Sequence, residues 1–198
     1  MTKIGLTGGF GTGKTTVLGF FAKLGARTFD ADLVVRRELA GNAVLRKKIR
    51  RVFGPGVFKG ARLDRAMLAR RVFSNSRLLA SLNGLVHPVV KKRLLEYFRR
   101  NRKAAVVVAE IPLLFETDFY RFFDRTVCVK AGRQARKQRL SLQRRITPGE
   151  IARRARHQLP LAAKIARCDL VIDNNGRKKD TFQQVKTIME EEKWKSSK

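Results

Sequence analysis

The chain reads as an α/β protein built on a five-stranded parallel sheet flanked by helices, with a helical insertion and a small helical lid. Three observations predict it. Five short segments have strand character: Lys3–Thr7, Ala26–Asp30, Ala104–Ala109, Thr126–Lys130 and Leu170–Asp173. Helical patterns separate them, and alternation of this kind gives a parallel sheet with right-handed crossovers. The first strand, finally, runs straight into a glycine-rich turn that opens a helix.

Each element follows from its residues. The Ala104–Ala109 segment, Ala-Ala-Val-Val-Val-Ala, is apolar without alternation, as expected of a strand covered on both faces. Between the first two strands, Val17, Phe21 and Leu24 recur at helical spacing. Residues 31–103 carry no convincing strand, and periodic stretches such as Leu78–Leu85 and Val89–Phe98 predict several helices there. Residues 133–167 also read as helical. Within them Thr147 caps a helix that Pro148 begins, and Glu150 completes the capping box. The expected organisation is a nucleotide-binding core of residues 1–31, 104–132 and 168–198, a helical substrate domain over 32–103, and a lid over 133–167. The last residues, from Trp194, are expected to fray.

At 198 residues the chain is sized for one sizeable domain with an insertion, and 43% hydrophobic residues can fill an ordinary core. Two cysteines and two histidines without metal-type spacing exclude a disulfide framework or a soft-metal site. No apolar run approaches the roughly 20 residues of a membrane span, and the first residues show no secretory pattern, so a soluble cytoplasmic protein is expected.

The turn after the first strand spells Gly-Gly-Phe-Gly-Thr-Gly-Lys-Thr, matching G-x-x-x-x-G-K-[ST] at Gly8, Gly13, Lys14 and Thr15. Strand before and helix after are the context that this phosphate-binding loop needs. Gly8, Gly9, Gly11 and Gly13 let the backbone N–H groups face phosphate oxygens, and the helix N-terminus adds a positive dipole end. Lys14 is expected to reach the β- and γ-phosphates and the Thr15 hydroxyl to help hold Mg²⁺. A GTPase would carry an Asn-Lys-x-Asp-like base reader, which is absent from the sequence. A helicase or transporter ATPase normally needs a longer chain and an apolar strand ending in Asp or Asp-Glu. The third strand instead runs into Glu110-Ile111-Pro112, which leaves small-molecule phosphoryl transfer in front.

The second strand ends in Asp30-Ala31-Asp32. Neighbouring strands of such a sheet share a crevice at their carboxyl ends. One of these carboxylates can take the proton of an attacking hydroxyl while the other caps the following helix; spacing does not say which. The basic 133–167 region has the composition of a lid, whose arginines can close over the transferred phosphoryl group.

Several separate motifs, in order, then make the sequence resemble the dephospho-CoA kinase family from Ile4 to about Gly176. They are Ile4-Gly5-Leu6-Thr7-Gly8-Gly9, Asp30-Ala31-Asp32, Leu63-Asp64-Arg65, Arg71-Val72-Phe73, His87-Pro88, Ile111-Pro112-Leu113-Leu114-Phe115-Glu116, Gln158-Leu159-Pro160 and Val171-Ile172-Asp173-Asn174-Asn175-Gly176. The resemblance implies a P-loop fold of the nucleotide-kinase type and transfer of the ATP γ-phosphoryl group to the 3′-hydroxyl of dephospho-CoA, giving CoA and ADP. It implies Asp32 as general base, Gly11, Thr12, Gly13, Lys14, Thr15 and Thr16 as ATP loop, and Arg139 and Asn175 beside the adenine. Arg36 and His87 match substrate-side positions, and Arg145 and Arg154 fall in the lid. Glu110 stands where many members have Asp, so no metal role is assigned to it. Cys168 stands where Ala is usual, which reads as packing.

The charge exceeds what these ligands require. There are 45 Lys and Arg against 16 Asp and Glu, a net +29. Residues 36–71 hold 12 basic and 2 acidic side chains, residues 133–167 hold 11 and 1, and residues 91–103 hold 7 and 1. The excess is spread over the insertion and the lid. Nonspecific, salt-sensitive polyanion binding is the expected consequence. Two other readings accommodate the same loop: a small P-loop kinase acting on a nucleoside or nucleotide, and a polyanion-binding NTPase. The second lacks an aromatic RNA-binding signature or a helix-turn-helix.

Overall fold

A computed structural model describes residues 1–141 and 158–196. The chain divides into two compact units, Met1–Asp30 together with Tyr97–Lys198, and Ala31–Glu96.

The first unit holds the sheet. Strand β1 is Thr2–Gly8, β2 Arg27–Asp30, β5 Val106–Glu110, β6 Arg125–Lys130 and β7 Leu170–Asp173. They lie in the order β2-β5-β1-β6-β7, every pair parallel. The five expected strands are all present, none with an end displaced by more than two residues and Leu170–Asp173 with none displaced. β1 is central: Ile4 registers with Val108 of β5 and Arg125 of β6. β5 is buried at every position, as its unalternating sequence requires.

One face of the sheet is covered by helix α1 (Lys14–Lys23) and by the last helix of the chain, α8 (Lys178–Ser196). Ile4, Leu6, Val106, Val108, Val127, Val129 and Ile172 of the strands pack with Val17, Leu18 and Phe21 of α1 and with Val185, Ile188 and Met189 of α8. Phe21 is fully buried, and such a side chain contributes about 2–3 kcal/mol by leaving water. Helices α6 (Arg133–Ser141) and α7 (Leu161–Arg167) also belong to this unit. Glu116, in the turn after β5, ties that turn to α7. Its Oε1 accepts from the Leu159 N–H at 2.8 Å and pairs with the Lys164 ammonium at 3.0 Å. Lys164 is fully buried and also donates to the Pro112 carbonyl at 2.6 Å, while Arg167 stacks on Phe115 at 4.6 Å.

The second unit is built from helices α2 (Ala31–Gly41), α3 (Ala43–Phe53), α4 (Arg65–Phe73) and most of α5 (Ser76–Arg100). Its core is Leu39, Leu45, Ile49, Phe53, Val57, Leu63, Leu68 and Val72. Asn42 caps α3 through the Leu45 N–H, and Asp64 caps α4 through the Ala66 and Met67 N–H groups. Here the structure departs from the sequence reading. A two-stranded antiparallel hairpin, β3 (Phe58–Lys59) with β4 (Arg62–Leu63), lies where no strand is expected. Two residues per strand are too few to show alternation, and only Gly60, with φ 60°, betrays the turn.

Candidate active site

β1 delivers the chain at Gly8 to the carboxyl edge of the sheet, and α1 leaves at Lys14. The loop between has a shape that only glycine permits at its two ends. Gly8 has φ 148° and a methyl group there would collide with the Val129 carbonyl; Gly13 has φ 90° and a methyl group would collide with the Asn174 amide. Gly9, Gly11 and Thr12 make the turn. The Gly9 carbonyl gathers the loop: it accepts from the Thr12 hydroxyl at 2.9 Å and from the Lys14 ammonium at 3.1 Å. Lys14 is buried, so its charge sits inside the curl of backbone.

Thr15 and Thr16 are exposed on the first turn of α1. The Thr15 hydroxyl lies 3.4 Å from Oε1 of Glu110, the buried last residue of β5. A hydroxyl and a carboxylate are hard oxygen donors of the kind Mg²⁺ takes, and Mg²⁺ sites of this type need only one or two protein ligands beside phosphate and water. Among the described residues no group of three or more His, Cys, Asp or Glu is placed to hold a metal ion. Glu110, given no metal role from sequence, is thus brought beside the hydroxyl that was.

The loop is held from the far side by the end of β7. Asn174 is buried, donates its amide to the Thr12 carbonyl at 2.8 Å and accepts from the Thr181 hydroxyl at 2.9 Å. Arg139 of α6 reaches the same place, donating to the Thr12 carbonyl at 3.3 Å and the Asn174 carbonyl at 2.6 Å. Asn175, the neighbour singled out in the sequence, is exposed. It accepts from the Gly132 N–H at 2.6 Å and donates to Asp173 from both its backbone and its amide. Burial pushes the Asp173 carboxyl up, but the Asn175 N–H and the Lys130 ammonium outweigh it and hold it below the usual carboxylate range. Asn174 is the residue that sequence reasoning missed. Its signal was present, since it stands inside the quoted motif, but two adjacent asparagines look alike until burial separates them.

In the second unit, Asp32 lies in the first turn of α2, exposed, with Arg36 one helical turn later on the same face. His87, in the middle of α5 and followed by Pro88, is half-buried, and burial lowers its pKa so that the neutral ring is favoured. Arg145 and Arg154 lie outside the described residues, as does the expected Thr147–Glu150 cap.

A phosphate-shaped loop between a central parallel strand and a helix, with buried lysine, hydroxyl and carboxylate at its mouth, defines a P-loop kinase of the ATP-using type. The comparisons sharpen this. The dephospho-CoA kinase family model matches residues 2–180. A dephospho-CoA kinase of Enterococcus faecalis is 34% identical, covering 97% of this chain and 98% of its own. Among solved structures, a protein of Thermus thermophilus superposes with a TM-score of 0.82 at 33% identity, covering 96% of this chain and 97% of that one. The dephospho-CoA kinase of Campylobacter jejuni superposes with a TM-score of 0.69 at 23% identity, covering 96% of each, which speaks for the shared fold. The chain belongs to the dephospho-CoA kinase family. Among the described residues no helix is long and apolar enough to cross a membrane.

Proposed function

We propose that the protein transfers the γ-phosphoryl group of MgATP to the 3′-hydroxyl of dephospho-CoA, releasing CoA and ADP in the cytoplasm. The observation that carries the reading is the buried Lys14 curled into the Gly8–Thr15 loop with Thr15 and Glu110 at its mouth, in a chain of this family. Lys14 and the loop N–H groups bind the phosphates. Mg²⁺, when bound, spreads the charge of the transferring group; Thr15 would hold it, with Glu110 orienting the hydroxyl. Asp32 takes the proton of the acceptor hydroxyl, and Arg36 and His87 bind the acceptor. Arg139 and Asn175 border the adenine, and Arg145 and Arg154 act from the lid. The nucleotide-binding core, helical substrate domain and lid then correspond to residues 1–31 with 104–132 and 168–198, to 32–103, and to 133–167.

The test is ADP release from MgATP with dephospho-CoA, adenosine, AMP or RNA added in turn, with CoA followed by mass. CoA formed with dephospho-CoA alone, and abolished by chelating Mg²⁺, is the expected result. Phosphorylation of adenosine or AMP, or RNA-stimulated hydrolysis without CoA, overturns the assignment.

A further inference from the structure

Arg136 has no role in the site as derived so far. It lies one helical turn before Arg139 on α6, and both side chains reach the phosphate loop. Their situations differ. Arg139 spends its guanidinium on the carbonyls of Thr12 and Asn174, which makes it part of the scaffold. Arg136 runs alongside Gly9, where a methyl group would sit 3.7 Å from its Nη1. Its Nε is buried and has no hydrogen-bond acceptor among the described residues. Among the described residues no carboxylate forms an ion pair with it. A partly desolvated guanidinium with an unmet N–H is costly, and an anion is what removes the cost.

We propose that Arg136 is a further residue of the nucleotide site, holding the terminal phosphates of ATP beside Lys14. The proposal rests on the reading that the Gly8–Thr15 loop binds those phosphates. Lys14 donates to the Gly9 carbonyl, so both cations flank the same residue, and the lysine of such a loop serves the β- and γ-phosphates. The planar fork of an arginine suits a phosphate better than a point charge does, and it can bind two oxygens at once. Arg136 therefore discriminates ATP from ADP. Leu161 of α7 approaches Gly9 as well, 3.8 Å from the same methyl position, and shields this side of the loop with an apolar wall.

The experiment measures binding of ATP, ADP and inorganic tripolyphosphate to the full chain carrying Arg136→Gln, Arg136→Lys, Lys14→Ala or Lys137→Gln, with each variant's melting temperature in the absence of ligand. Arg136→Gln is expected to weaken ATP and tripolyphosphate binding about ten- to a hundredfold, the range of a charge-assisted hydrogen bond, and ADP binding severalfold less. The ligand-free melting temperature should hold, and Arg136→Lys should recover part of the loss. Lys137→Gln removes the same charge from an exposed position of the same helix and should leave ATP binding within about twofold, as a screened surface charge does. Unchanged ATP binding in Arg136→Gln overturns the proposal. So does an equal loss for ATP and ADP, or a matching loss in Lys137→Gln. Should Arg136→Gln not fold, Arg136→Lys decides by the same ATP-against-ADP comparison. Lys14→Ala tells the two readings apart: if it binds ATP normally the phosphate-loop reading itself falls, whereas if only the Arg136 variants are silent this inference alone falls.

Discussion

A methyl group on Gly13 would strike the Asn174 amide and force an L residue into a left-handed turn. Gly13→Ala is therefore expected to remove measurable ATP binding, by titration calorimetry, while leaving the sheet folded by circular dichroism. Gly19 is the contrast: it lies inside α1 with nothing within 4 Å of a methyl group, so Gly19→Ala should stabilise the chain by roughly 0.5–1 kcal/mol in urea unfolding. At the chemical step, Lys14→Ala and Asp32→Asn should each lower turnover at least about a hundredfold, as positioned charges and general bases do. Near-normal turnover in Asp32→Asn would move the base elsewhere without touching the loop. The loop glycines, Lys14 and Thr15 were legible in the sequence because a short local motif specifies them. Asn174, Arg136 and Glu110 were not, because each acts across the fold, 162 residues away in the case of the Asn174–Thr12 bond.

At the scale of elements, the pairing of Lys164 with Glu116 fixes the turn after β5 against α7. Removing one partner of a buried ion pair strands the other, at a cost of about 3–5 kcal/mol, whereas replacing both by apolar groups is often neutral. Lys164→Met should thus lower the unfolding free energy by that amount, and Lys164→Met with Glu116→Leu should return most of it; an unaltered single variant refutes the clamp. The five parallel strands could be read ahead because their apolar runs are long enough to show a pattern. The hairpin at Phe58–Leu63 could not, and neither could the partner of Lys164, whose charge beside the apolar Leu161, Ala162, Ala163 and Ile165 reads as a surface residue until the fold buries it. The motif around Pro112–Glu116 was visible as letters; that its glutamate receives a buried ammonium and a backbone N–H is three-dimensional information.

For the whole molecule, acid should act in two stages. Burial favours the neutral His87 ring, so the folded state binds fewer protons there than the unfolded chain, and stability declines as pH falls below about 6.5, the ordinary value for histidine. The Glu38 carboxyl is held below its ordinary value of 4.5, first by the hydrogen bond from Arg93, so its contribution persists above that pH and is lost on further acidification. Melting curves from pH 8 to pH 3 should show both declines, and His87→Gln should erase the earlier one. The surplus of basic side chains predicts weak binding to any nucleic acid, assisted by the exposed Lys47, Lys48 and Arg51 on α3. Its affinity should fall steeply with added salt, unlike specific binding through an apolar contact. A salt-independent affinity for RNA would call for a dedicated surface.

The central place of β1 also governs how the molecule comes into being. Its partners on the two sides lie 104 and 121 positions later, with Thr2 facing Val106 and Ile4 facing Arg125, so this strand waits more than a hundred residues of synthesis before it can pair. Residues 31–96, whose contacts are local, have no such delay. Because closing long loops slows folding, the helical unit should gain hydrogen-exchange protection first and the sheet afterwards. Until then the phosphate loop does not exist, and a nascent chain would have to be shielded from aggregation by something other than its own nucleotide.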